Sequence, residues 1–111
     1  MKIAFYGSSI LSSYWNGAAT YYRGLLRALA CLGHDITFYE PDVYERQKHR
    51  DMDQPDWCRA VVYPGTAEAL ADVARRAADA DIAVVASGIG FEDDALRRQV
   101  FTAARPGALR I

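Results

Sequence analysis

The sequence predicts an α/β fold of the Rossmann-like type, with an open, mostly parallel sheet and helices on both faces. Short apolar runs of strand length alternate with longer segments in which apolar residues recur every third or fourth position. The chain has 111 residues, which suits a single domain over residues 1–111. Hydrophobic residues make up 51% and charged residues 24% of the chain, a balance that indicates a packed core rather than disorder.

The first predicted unit is a strand followed by a helix. Residues 2–6 form an apolar run that Gly7 closes, which predicts a buried parallel strand. A polar and aromatic loop over 8–16 follows. The apolar spacing then predicts a helix over about 17–32, with Asn16 as its N-cap.

The same alternation continues along the chain, with proline and glycine marking where strands end. In chain order the predicted elements are a strand over 35–40 stopped by Pro41, a short helix near 43–48, a strand over 60–63, a helix over 66–79, a strand over 81–86, a helix over 92–104 and a final strand over 108–111. Because the last strand has only begun at Ile111, we expect either part of a longer protein or a short edge strand at this point.

Composition excludes several classes of function. The 13 Lys and Arg against 14 Asp and Glu give a net charge of −1, which disfavours nucleic acid and anionic membranes as partners. No apolar run is long enough for a membrane span or a signal peptide. Cys31 and Cys58 lack metal-ligand spacing, so we expect reduced thiols, no bound metal and a cytoplasmic protein.

Ligands of open α/β sheets bind outside the carboxyl ends of the strands, where four loops of this chain are predicted to meet. In the first loop, the small residues after Asn16 would expose backbone N–H groups at a positive helix end. This start of the helix is either an anion site or a tightly packed helix cap. Tyr14 and Trp15 would either stack on a sugar or base ring, or Trp15 would pack under the helix.

Two further loops contribute candidates. Ser87, Gly88 and Gly90 follow the most apolar strand, and the glycines permit close approach of a ligand or a neighbouring loop. Glu40 ends the second strand, where it could hold a hydroxyl or act as a general base. A nicotinamide-cofactor domain is a weaker hypothesis, because the turn after the first strand lacks the GxGxxG motif. The sequence also contains neither a P-loop motif nor a GxSxG motif.

Several segments together resemble a known family. The sequence is similar to the N-terminal lobe of GT-B glycosyltransferases, and more closely to the CgeB-like (spore-maturation-protein-like) family. The similarity covers nearly the whole chain. It lies in Phe5–Ser9, Asn16–Arg23, Leu32–Glu40, Tyr39–Asp42, Asp53–Trp57 and Ser87–Phe91.

The resemblance implies two Rossmann-like lobes across a cleft, of which this chain is the acceptor-side lobe. It implies transfer of a sugar from a nucleotide-diphosphate sugar, the co-substrate, to an unknown acceptor, with no other cofactor. Catalysis would then need the C-terminal donor lobe or a dimer partner, and this chain alone should not catalyse sugar transfer. The cleft residues would be Ser8, Ser9, Asn16 and Gly17 beside the donor phosphates and Ser87, Gly88 and Gly90 on the acceptor side, with Glu40 and Asp42 as weak catalytic candidates.

The alternative is a stand-alone module that binds a nucleotide, a sugar or a partner chain. In that case the apolar residues of the first loop, Ile10, Leu11, Tyr14 and Trp15, must be covered by the chain itself or by a second copy.

Overall fold

The computed structural model describes residues 1–111 and contains one five-stranded sheet in which every pairing is parallel. The spatial order of the strands is β3-β2-β1-β4-β5. The strands are β1 (Lys2–Tyr6), β2 (Asp35–Asp42), β3 (Arg59–Pro64), β4 (Ile82–Val85) and β5 (Leu109–Arg110). The α-helices are α1 (Ala19–Cys31), α2 (Ala67–Arg75) and α3 (Asp93–Ala103), and short 3-10 helices cover Arg46–His49 and Arg76–Asp79.

Helices cover both faces of the sheet, as predicted. On one face, Tyr22 and Leu26 of α1 pack against Ile3, Phe5 and Phe38. On the other face, α2 and α3 form a second apolar layer over β1, β2 and β4. Alternate residues of each strand therefore point into two separate cores, which explains why the strands are nearly continuous apolar runs.

The first helix is shorter than its apolar spacing predicted. It begins at Ala19, and its N-cap position is Ala18, which provides no side-chain hydrogen bond. The prediction of Asn16 as the N-cap was wrong. Its side chain is bonded to Ser8, Ser9 and Ser12 of the preceding loop, so it cannot also reach the helix amides.

The second strand continues past Pro41, although proline was expected to stop it. Pairing of β2 with β1 ends at Tyr39, whereas pairing with β3 continues to Asp42. At Pro41, β2 therefore has a neighbour on one side only, where a missing N–H is tolerated. The end of β2 extends beyond the end of β1 and forms one wall of the region described next.

Candidate functional site

Two loops follow the carboxyl ends of β1 and β4, and the region between them is called the crevice below. The chain leaves β1 toward α1 on one face of the sheet and leaves β4 toward α3 on the other face. Such a switch point is where open α/β sheets bind their ligands. The loop over 7–18 and the loop over 86–92 border this region, and Arg46 links them through the carbonyls of Trp15 and Ile89. The predicted binding residues all lie on these two loops: Ser8, Ser9, Tyr14, Trp15, Asn16, Gly17, Ser87, Gly88 and Gly90.

The loop after β1 is held by its own polar side chains. The Ser8 hydroxyl donates to Oδ1 of Asn16 at 2.7 Å, and Asn16 Nδ2 donates to the carbonyls of Ser9 and Ser12 at 2.8 and 3.1 Å. The Ser8, Ser9 and Asn16 side chains are all buried. Their polar atoms are thus occupied in shaping the loop, which fixes where the following helix begins.

Glu40 anchors the same loop from β2. Its carboxylate accepts hydrogen bonds from the Ser9 hydroxyl at 2.6 Å and from Gln47 Nε2 at 2.7 Å. The amides of Ile10 and Leu11 donate to its other oxygen at 3.1 and 3.4 Å. The side chain is 0% exposed, so neither oxygen is open to a hydroxyl of a ligand.

Asp42 is the accessible carboxylate of the two catalytic candidates. It is exposed at the end of β2, beyond the buried Pro41. No ion pair joins Asp42 to a lysine, arginine or histidine side chain of this chain. A catalytic role for Glu40 or Asp42 stays a prediction.

The start of α1 presents unpaired backbone donors at the crevice. The amides of Gly17, Ala18, Thr20 and Tyr21 have no hydrogen-bond acceptor, and the first turn contains no acidic residue. Gly17 and Thr20 are exposed. Helix amides in this position carry partial positive charge and bind anions.

Arg46 joins the two loops of the crevice. Its Nη2 donates to the Trp15 carbonyl at 3.2 Å, and its Nη1 donates to the Ile89 carbonyl at 3.3 Å. The side chain is 5% exposed, and its Nε is buried without a partner. Burial lowers the pKa of this guanidinium, although an arginine keeps its charge in proteins. A buried positive charge therefore lies behind the two loops, within electrostatic reach of the Glu40 carboxylate.

Sequence reasoning missed Arg46, because it begins the charged run Arg46–Arg50 and such runs are usually solvated. In the structure Arg46 lies beside Tyr44, one of four non-glycine residues with a positive φ. The Tyr44 ring lies 5.2 Å from the Arg46 guanidinium, and its hydroxyl donates to the Gly90 carbonyl at 3.0 Å. Strained residues of this kind collect at functional sites.

The loop after β4 is shaped by one side chain of α3. The Asp93 carboxylate accepts hydrogen bonds from the amides of Ile89, Gly90 and Phe91, at 3.0, 2.9 and 3.2 Å. A Cβ on Gly90 would lie 2.7 Å from the Tyr44 ring, so this glycine permits the approach of a neighbouring loop. Ser87 and Gly88 are exposed on the same loop.

The two aromatic residues of the first loop have different surroundings. Tyr14 stacks on the His49 ring, with 3.9 Å between the ring centroids. Trp15 is 80% exposed and has a φ of 49°. Trp15 does not pack under α1, and its ring is free to contact a ligand at the edge of the crevice.

The chain contains no cluster of three or more His, Cys, Asp or Glu side chains suited to a metal ion. None of its helices has both the length and the apolar character needed to cross a membrane. Comparison with models of known families found no match, and comparisons with curated proteins and with solved structures found none either. The functional interpretation therefore depends on the crevice itself.

Proposed function

We propose that this chain is the acceptor-side lobe of a GT-B-like glycosyltransferase and that its crevice lies against the diphosphate of a nucleotide-sugar co-substrate. Two features support the proposal. The fold is an all-parallel Rossmann-like sheet, and two of the segments that resemble glycosyltransferases, Phe5–Ser9 and Ser87–Phe91, follow β1 and β4 at the end of the sheet where such folds bind ligands. The observation that carries the proposal is the set of free amides at the start of α1, at the edge of that crevice.

A diphosphate suits these amides for physical reasons. Its oxygens are charged acceptors, and several N–H groups converging at a helix start bind such acceptors without a side chain. Arg46 adds a positive charge behind the wall, while its bonds to Trp15 and Ile89 hold both loops in place. The exposed ring of Trp15 would contact the sugar or base attached to the phosphates.

The same residues explain why the lobe should not turn over by itself. Departure of a nucleoside diphosphate requires charge stabilisation aimed at the leaving group. This chain offers amides and one buried guanidinium, and the carboxylate of Glu40 is fully occupied. The remaining groups would come from a second lobe.

Calorimetric titration of the 111-residue chain with inorganic pyrophosphate and with uridine diphosphate tests the proposal. We expect both to bind, and we expect Gly17→Asp to weaken binding about tenfold, because the new carboxylate competes for the amides. A Cβ at Gly17 meets nothing within 4 Å, and the same holds for Gly24 in the middle of α1. Gly24→Asp is therefore the matched control and should bind like the unchanged chain.

No heat of binding for either anion, or equal binding by the two variants, would overturn the proposed site. Glycosyl transfer or donor hydrolysis by the isolated chain would contradict the need for a second lobe. Both reactions can be followed by release of uridine diphosphate from its glucose conjugate.

A second candidate is a stand-alone nucleotide- or sugar-binding module. One observation favours it: Ile10 and Leu11 are buried by the chain itself, so the first loop needs no second lobe to cover them. A complete module should bind uridine diphosphate in the micromolar range, about −8 kcal/mol, whereas one wall of a cleft should bind in the millimolar range, about −4 kcal/mol.

A further inference from the structure

A small polar pocket, the amino-end pocket, lies at the opposite end of the sheet from the crevice. Its floor is formed by the first residues of β1, β2 and β3, and its wall by the 3-10 helix Arg76–Asp79. Ala4, Tyr39 and Val61 of the floor also pack in the α2–α3 core, so the pocket opens on that face of the sheet. Its volume is about 270 Å³. Because pockets for drug-sized ligands measure roughly 300–1,000 Å³, this one suits a smaller molecule.

The alternation of side chains along the strands gathers polar groups in the amino-end pocket. Side chains two residues apart on a strand share a face of the sheet. Lys2, Thr37 and Arg59 each precede an apolar residue of the floor by two positions. The parallel register sets Lys2 beside Asp35, and Thr37 beside Arg59, on neighbouring strands. The polar edge of the floor is therefore built by three strands and has a fixed arrangement.

Tyr39 supplies a hydrogen-bond donor that the chain does not use. Its side chain is 6% exposed, and its ring stacks on Tyr6 with 4.6 Å between the ring centroids. The Tyr6 hydroxyl donates to the Val73 carbonyl at 2.7 Å, whereas the Tyr39 hydroxyl donates to no group of the chain. Burial raises the pKa of Tyr39, while the charges of Arg76 and Arg59 oppose the rise. Because buried hydroxyl groups normally have a partner, this phenol is suited to an acceptor atom of a ligand.

The charged groups of the amino-end pocket are mostly unpaired within the chain. Five charged side chains line it: Lys2, Arg59, Arg76, Asp35 and Asp79. Of these, Arg76 alone belongs to an ion pair, with Asp72 at 3.1 Å. Three cations against two carboxylates leave an excess of one positive charge. A ligand with a single negative charge therefore balances the pocket.

We propose that the amino-end pocket binds a small α-hydroxy acid. The planar guanidinium groups of Arg59 and Arg76 match the two oxygens of a carboxylate, and the Tyr39 hydroxyl adds a neutral donor. Asp35 and Asp79 supply acceptors for the hydroxyl group of the same ligand. A phosphate dianion suits the pocket less well, because its second charge would face these two aspartates.

NMR titration of the 111-residue chain with lactate, propionate and alanine tests this inference, because the three acids differ only in the substituent on one carbon. We expect lactate to shift the backbone amide signals of Ala4, Thr37 and Val61 saturably, with a dissociation constant in the millimolar range. Propionate lacks the hydroxyl group, and alanine has no net charge. Each should therefore bind at least about threefold more weakly than lactate.

Tyr39→Phe is the first test variant, because it removes the unused donor and keeps the ring that stacks on Tyr6. It should weaken lactate binding about fivefold. Tyr63→Phe is the matched control, because the Tyr63 hydroxyl is also buried without a partner but lies outside the amino-end pocket. This control should bind lactate like the unchanged chain.

Arg59→Gln tests the cationic side of the pocket. The Arg59 side chain is exposed and belongs to no ion pair, so the fold should tolerate its loss, while lactate binding should weaken about tenfold. Arg98→Gln changes an exposed arginine of α3 that is also outside every ion pair and does not line the pocket. It should leave lactate binding unchanged.

The absence of saturable shifts with lactate would overturn the inference. So would propionate or alanine binding as tightly as lactate, equal binding by Tyr39→Phe and Tyr63→Phe, or shifts confined to the two loops of the crevice. Circular dichroism verifies that each variant is folded. Gly17→Asp lies at the other end of the sheet and should bind lactate normally, so the inference and the proposed function can fail separately.

Discussion

The Ser9 hydroxyl donates to the Glu40 carboxylate at 2.6 Å and joins the loop after β1 to the end of β2. The carboxylate accepts three further hydrogen bonds and is fully buried. A buried carboxylate with its donors in place organises a loop, whereas a partner left unpaired there costs the full desolvation of the group.

Replacing Glu40 by glutamine should therefore destabilise the fold. One side of the amide can still accept, but its NH₂ group faces donors that had bonded to an oxygen. We expect Glu40→Gln to lower the free energy of unfolding by about 2 kcal/mol, measured by urea denaturation. Glu45→Gln is the control, because Glu45 is exposed and pairs only with Lys48, at 3.5 Å; it should cost less than about 0.5 kcal/mol. Equal costs would contradict a structural role for Glu40.

Gly7 follows β1, and the structure shows why a residue without a side chain stands there. Its φ is not positive, and a Cβ there would lie 2.6 Å from Cζ of Phe38. Gly7→Ala should therefore overpack the α1 core and cost about 1–3 kcal/mol. Gly24→Ala, in the open middle of α1, should stabilise the protein by about 0.5–1 kcal/mol. Thermal denaturation of the two variants should give melting temperatures on opposite sides of that of the unchanged protein.

The two cysteines should differ strongly in reactivity. Burial, followed by the charge of Glu40, raises the pKa of the Cys58 thiol from 9.0 to about 12, so its thiolate is scarce at pH 8. Cys31 is exposed. At pH 8, a thiol reagent such as iodoacetamide should modify Cys31 in the native protein and reach Cys58 only after unfolding, as mass spectrometry of the digested protein can show. Rapid native labelling of Cys58 would contradict the packing around it.

Acid should loosen the first loop through Asp51. Its hydrogen bond to Arg23, followed by that to Ser13, lowers the pKa of the Asp51 carboxyl below 3.8. The stabilisation is therefore complete above the ordinary pKa and is lost as the pH falls through the lowered value. Because the Asp51 side chain is 43% exposed, the loss in unfolding free energy should stay below about 1 kcal/mol.

Urea denaturation between pH 6 and pH 2.5 measures this loss. Asp51→Asn should show a smaller decrease in unfolding free energy over that range than the unchanged protein. Asp53→Asn, which alters an exposed carboxylate outside every ion pair, should keep the full decrease. If the unfolding free energies of the two variants decreased equally with falling pH, Asp51 would be excluded as the source of the acid-induced loss of stability.

The fold could be predicted because it depends on local periodicity. The apolar runs at 2–6 and 81–86 identified central strands without further information, and the spacing from 17 to 32 identified α1. The residues at which helices and strands end were harder to predict from the sequence. Pro41 lies inside β2 because β1 stops earlier, and that relation between two strands is invisible in either segment alone.

The site was harder to predict because its contacts join distant segments. The buried state of Arg46 depends on the carbonyls of Trp15 and Ile89, which lie 31 and 43 residues away. Glu40 was identified from its place at the end of β2, but its donors come from two other loops. Residue type and strand position therefore locate the crevice, while pairing across loops decides which polar groups remain free.

The bonds of Arg46 also make its side chain a spacer. One rigid, planar group donates to a carbonyl on each of the two loops, so the separation of these two carbonyls matches the dimensions of a guanidinium. A ligand that needs a wider opening must first break a hydrogen bond to a charged donor, which resists distortion more than a neutral one. Size selection at this crevice would then be a property of the residue beneath it, and not of the residues that a ligand touches.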